Sequence, residues 1–248
     1  MTDTGSRGRA RIGVLVPFTN TNLEADLALI RPTGYSFHFA RLGGYDADEI
    51  PDDAQMAGLG ASDVVEPLRL ISGVRPDVVL YGCTSATLTH GLDFDRSLTA
   101  SMRQQSGAKS VTAAGALVFA LNAMKVRRIG LASPYVGAIN AQAVAFLESA
   151  GVHTLTVAEV GEQLDNYGQG ALRPEDVKAL AMRAAHEDAD AIVLSCTDMR
   201  SVEAVDAIEQ TMGKPVITSN QAMLFQAMRL LGHETAGSGV GRLFAEGK

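Results

Sequence analysis

The chain has 248 residues, 46% of them hydrophobic and 20% charged, with a formal net charge of −7. That is an ordinary globular balance, in a length sufficient for one large α/β domain or two small ones sharing a core. An acidic chain with no basic cluster is a poor nucleic-acid ligand, because phosphates need a positive face. No apolar run is long enough to span a bilayer.

From the N-terminus, Met1–Ala10 is polar, carries two arginines and lacks a signal-peptide pattern. It reads as a lead-in rather than a targeting segment, and a cytoplasmic location without a membrane partner is expected. The first strand is Arg11–Phe18, RIGVLVPF, which ends at Pro17. The polar loop Thr19-Asn20-Thr21-Asn22 follows it. Its hydroxyl and amide donors suit a carboxylate or carbonyl oxygen, and equally the start of a capped helix with Glu24 in its first turn. The acidic stretch Asp46–Asp53 reads as a solvated loop or lid.

A second buried run, Asp77–Ser85, reads DVVLYGCTS, and Val111–Leu121 reads VTAAGALVFAL. The order then repeats. RIGLASPY (Arg128–Tyr135) matches RIGVLVPF, DAIVLSCTD (Asp190–Asp198) matches DVVLYGCTS, and ITSNQAMLFQA (Ile217–Ala227) matches VTAAGALVFAL. Three matched segments in register point to internal duplication. Helical spacing recurs at Ala138–Ala150 and Pro174–His186. The latter opens on Pro174 with Glu175 and Asp176 behind it, acids near the positive end of the helix dipole. Continuous β-branched runs separated by helices imply parallel strands covered on both faces. The expected fold is α/β: two Rossmann-like halves, 11–118 and 119–230, related by a pseudo-twofold, with the active site between them.

Both cysteines of the chain, Cys83 and Cys196, occupy the same repeat position just past a buried strand. Ligands of open α/β sheets bind beyond the carboxyl ends of the strands, so a pseudo-twofold places the two thiols on opposite walls of one cleft. Each lies at a probable helix N-terminus, where the dipole and free backbone N–H groups lower a thiol pKa. Taken singly, the Thr84, Ser85 and Thr197 hydroxyls are as readily N-caps as carboxylate donors. Tyr135 follows the strand of the second half, where the first half has the Asn20 loop. Asp165-Asn166-Tyr167-Gly168 reads by itself as a turn. The GSGVG run at Gly237–Gly241 follows no strand and is not a dinucleotide loop. The five histidines lack metal-ligand spacing, and His90 is expected as a half-exposed helix residue.

The paired strand–Cys–Thr turns with PFTNTNLE, ASPY and LDNYG resemble the maleate cis–trans isomerases. These share the aspartate/glutamate racemase superfamily with the arylmalonate decarboxylases. The ending Gly241–Phe244 is similar to the decarboxylase C-terminus, and SCTDMRSVE and ITSNQAM are similar to the ectoine-utilisation racemase-like subgroup. The resemblance implies a cofactor-free, metal-free enzyme acting on a small carboxylate, as a homodimer or tetramer. It implies Cys83 as nucleophile, Cys196 as acid/base partner, and Asn20, Tyr135, Asn166, Thr84, Ser85 and Thr197 as carboxylate-binding residues. The resemblance departs at Phe18-Thr19, where the isomerases read serine before the Asn, and at Thr197-Asp198 after the second cysteine. Cis–trans isomerisation is the leading expectation. Racemisation by two thiols, decarboxylation with one protonating cysteine, and a binding protein without activity are the alternatives.

Overall fold

The computed structural model describes residues 8–43, 51–60 and 64–247. Most of the acidic stretch expected to act as a lid lies outside them. Eight strands form: β1 (Ala10–Pro17), β2 (Tyr35–Leu42), β3 (Val78–Tyr81), β4 (Lys109–Thr112), β5 (Arg128–Ser133), β6 (His153–Glu159), β7 (Ala191–Leu194) and β8 (Val216–Thr218). They build two four-stranded parallel sheets, ordered β2-β1-β3-β4 and β6-β5-β7-β8. The duplication seen in the sequence is therefore a duplication of topology. The central strands β3 and β7 are buried along their whole length, as the unbroken VVLY and AIVL runs require.

A single core joins the halves. Val14, Leu80 and Leu117 of the first half share one buried cluster with Leu131, Val193 and Phe225 of the second. At the seam, helix Ala113–Ala123 packs against helix Ser219–Leu230. Both follow the C-terminal ends of edge strands, and both are N-capped by a threonine. Thr112 Oγ1 accepts the Gly115 N–H at 3.1 Å, and Thr218 Oγ1 accepts the Gln221 N–H at 3.0 Å. Gln221 returns the bond to the Thr218 N–H at 3.2 Å, completing a capping box. These caps fix where each helix starts, and with it the depth of the seam.

Two local expectations change. Asp165–Gly168 is not a free turn but the start of helix Asn166–Ala171, because Asp165 Oδ1 accepts the Gly168 N–H at 2.6 Å and caps it. His90 is exposed and sits just before helix Gly91–Ser106, where its Nε2 bonds the Ala57 carbonyl at 2.8 Å and its ring stacks on Phe94. Among the described residues no helix is long and apolar enough to cross a membrane, and no cluster of three or more His, Cys, Asp or Glu is placed to hold a metal ion.

Candidate active site

Each cysteine turn is fastened to the neighbouring strand in the same way. Gly82 N–H donates to Leu15 O at 2.8 Å in the first half, and Ser195 N–H donates to Ala132 O at 2.9 Å in the second. Position 82 must be glycine for the approach to be this close. A Cβ there would lie 2.4 Å from Leu23 Cδ2 and 3.0 Å from the Leu15 carbonyl oxygen. Cys83 then has extended backbone, φ −134° and ψ 113°, and precedes the short helix Thr84–Leu88.

The two turns meet at one enclosed cavity. It is lined by Cys83 and Ser85 from the first turn, Cys196, Thr197 and Asp198 from the second, and Asn20, Tyr135 and Asn166. Thus seven of the eight residues expected from sequence converge. Thr84 does not line the cavity. Its hydroxyl donates to Ser219 Oγ at 2.9 Å across the seam and so joins the halves. Thr197 lines the cavity, but its hydroxyl is spent: it donates to Gly82 O at 2.9 Å and accepts from Asn20 Nδ2 at 3.0 Å.

Asn20 fills the capping role that its loop suggested and also borders the cavity. Its Oδ1 accepts the N–H groups of Asn22 and Leu23, at 3.1 and 3.0 Å, and caps helix Asn22–Leu29. One N–H of its amide goes to Thr197, and an amide carries a second. Tyr135 is placed by Asn140, whose Nδ2 donates to Tyr135 O at 3.1 Å. The Tyr135 hydroxyl hydrogen-bonds Cys196 and Ser85, so it bridges the two thiol turns.

The sequence did not reveal Gln169, Met56 or the lining role of Asp198. Gln169 Oε1 faces the Cys196 thiol at 4.0 Å, one helical turn after Asn166. Met56 roofs the site from helix Asp53–Gly60 and accepts a hydrogen bond from Ser85 Oγ at 3.0 Å. That helix is pinned by the Tyr81 hydroxyl on Leu59 O at 3.3 Å and by His90 on Ala57 O.

The electrostatics reverse one expectation. Burial pushes both thiols up, and the turn N–H groups do not overcome it. The Cys83 sulfur accepts from the Ala86 and Ser85 N–H groups and lies 3.6 Å from the Ser85 hydroxyl oxygen, yet its pKa is raised, with desolvation the leading cause. Cys196 is pushed up to about 12, first by burial and then by Asp198. Burial also raises Asp198 to about 6, although it receives the N–H groups of Thr21 and Asn22 at 2.9 and 3.0 Å. Both thiols are therefore protonated at neutral pH, and Cys196 carries the added bias of a neighbouring carboxylate.

The enclosed space is about 30 Å³. That is room for roughly two waters at about 10–15 Å³ each, with Met56 along its edge. A larger cleft of about 890 Å³ lies between helices Gly91–Ser106 and Ala113–Ala123, but neither cysteine lines it. Its buried acid, Asp95, is occupied by the Thr112 hydroxyl and the Gly115 N–H.

Comparison with known proteins places this geometry. The family model for arylmalonate decarboxylase matches residues 12–244. The chain is 30% identical to a maleate isomerase of Nocardia farcinica, over 96% of this chain and 97% of that protein. It is 31% identical to an arylmalonate decarboxylase of Bordetella bronchiseptica, over 94% and 92%. A solved structure of the N. farcinica maleate cis–trans isomerase, a cysteine-to-serine mutant with a covalently bound succinylcysteine intermediate, superposes with a TM-score of 0.86 at 26% identity. That superposition covers 96% of this chain and 99% of the other.

Proposed function

The chain belongs to the arylmalonate decarboxylase family, and on that premise we propose that it is a cofactor-independent cis–trans isomerase of a small unsaturated carboxylate, with Cys83 as nucleophile and Cys196 as acid and base. The observation that carries the proposal is the pair of thiols lining one enclosed cavity whose hydrogen-bonding groups are almost all uncharged. Such a site suits an enolate-like charge that develops on a bound carboxylate and fades again.

The steps follow from the two walls. Cys83 gives up its proton to water, and the Ser85 and Ala86 N–H groups of the turn receive the charge on sulfur. The thiolate adds to one alkene carbon. The electron pair moves onto the adjacent carbon and its carboxylate, held by the free N–H of Asn20 and by Asn166, and the Cys196 thiol protonates that carbon. The former double bond is now single and rotates. Cys196 then takes the proton back, the C–S bond breaks, and the trans acid leaves. Asp198 beside Cys196 keeps this thiol protonated until it is needed.

The test is intact-mass spectrometry of the Cys196→Ser variant mixed with maleate or its monoamide. A stable adduct of one substrate on Cys83, absent in Cys83→Ser, is expected. Racemisation is the second reading, favoured by the matched positions of the two sulfurs. It forms no adduct, and in deuterated buffer it exchanges an α-proton instead. Exchange without an adduct would replace the isomerase reading by that one.

A further inference from the structure

Among the described residues lining the cavity, Asp198 is the only carboxylate, and no Lys, Arg or His joins it. It cannot swing away. Its Oδ1 holds the Thr21 and Asn22 N–H groups, and its own backbone is clamped, the carbonyl by Asn22 Nδ2 at 2.6 Å and the N–H by Cys196 Sγ at 3.3 Å. Helix Asn166–Ala171 closes over it at Gly170, where a Cβ would come within 3.1 Å of Asp198 Oδ2. Arg41, outside the lining, offsets part of the Asp198 charge, but its direct partners lie elsewhere. Its guanidinium binds the Pro17 and Asn20 carbonyls and pairs with Glu24 at 2.5 Å. A ligand that lies between the two sulfurs brings a second charge near Asp198, which is itself buried, and there like charges repel more strongly than in bulk water.

We propose that Asp198 sets the substrate class: the site takes a monocarboxylate whose far end is an uncharged hydrogen-bonding group, in preference to a dicarboxylate dianion. The proposal rests on the isomerase reading for its substrate and extends it. The reach of the Asp198 charge is visible in its effect on both sulfurs, between which a substrate must lie. A helix cap alone does not account for Asp198. Two backbone N–H groups at the start of helix Asn22–Leu29 are satisfied equally by a neutral amide oxygen, and Asn20 already caps that helix.

The experiment uses succinate and its monoamide, succinamate, which match in length and cannot add a thiol. Binding to the full-length protein is followed by ligand-detected NMR titration at pH 8, where Asp198 is ionised. Succinamate is expected to bind at least about tenfold more tightly than succinate, from repulsion of the second charge. Asp198→Asn keeps the acceptor oxygen and removes the charge, and should bring the ratio to within about threefold. Equal binding, tighter succinate, binding of neither, or an undiminished ratio in a folded Asp198→Asn protein overturns the proposal. If that variant does not fold, the wild-type ratio decides alone. Neither ligand reacts, so a failure of the Cys83 chemistry would leave this ratio intact, and the two ideas fail separately.

Discussion

Thr197→Val isolates one hydroxyl that the structure makes responsible for both stability and alignment. Valine keeps the shape and removes the oxygen. The Gly82 carbonyl loses its donor and the Asn20 amide loses its acceptor, both in buried surroundings. Each such group costs about 1–3 kcal/mol when left unpaired. Asn20 borders the cavity and can turn to water, so its share falls at the low end, and the sum is about 2–4 kcal/mol. For a chain of this size that lowers Tm by roughly 5–15 °C. Activity should fall as well, by about tenfold in kcat/KM, because an amide that is no longer held is poorly aimed at developing charge. Urea unfolding, with kcat/KM on a reacting substrate, reads both effects, and Thr197→Ser should restore both. A valine variant within about 0.5 kcal/mol of wild type, with unchanged kcat/KM, would refute the reasoning and reduce the hydroxyl to a bystander.

Asn20→Asp should keep the cap on helix Asn22–Leu29 but lose the donor to Thr197 and bury a second carboxylate beside Asp198, so stability falls and turnover drops roughly 10²-fold. Asn20→Ala should lose both, and intact turnover in either folded variant would remove Asn20 from the site. Asp26, buried beneath the second thiol turn and bonded by Asn220 Nδ2 at 2.7 Å, is raised by desolvation from 3.8 to about 7. The folded state then holds a proton that the unfolded chain releases above pH 3.8. Stability accordingly falls as pH rises from about 4 to about 7, by at most about 4 kcal/mol from this group. Asp198 adds a smaller loss of the same sign up to about pH 6. Chemical denaturation across pH 4–8 should show that slope flattened in Asp26→Asn, and an unchanged slope would contradict the assignment.

What the sequence made legible was whatever burial and repetition encode. β3 and β7 are covered on both faces, so their composition alone betrays them, and the cysteine that ends each run is fixed in space by the strand before it. β2 was not read from the sequence although Tyr35, Phe37 and Phe39 alternate with Ser36 and His38, because the alternating stretch is short and only partly buried. Thr84 and Ser85 show a finer limit. Consecutive residues point about 100° apart at a helix start, and nothing in a Cys-Thr-Ser string says which hydroxyl turns inward. The pKa direction of Cys83 was misread for a related reason. The helix dipole is visible in sequence, but the desolvation that outweighs it belongs to the closed cavity. Met56 and Gln169 arrive from helices whose docking is set by distant contacts, so no local motif announced them.

The duplicated backbone keeps its two sulfurs equivalent, but the side chains around them are not. Where one wall has Asn20 and Ser85, the other has Tyr135 and Asp198. The cavity therefore has a head and a tail. A ligand with two identical ends still meets two unlike sulfurs, so the face that is attacked is chosen by the protein and not by the asymmetry of the molecule it receives.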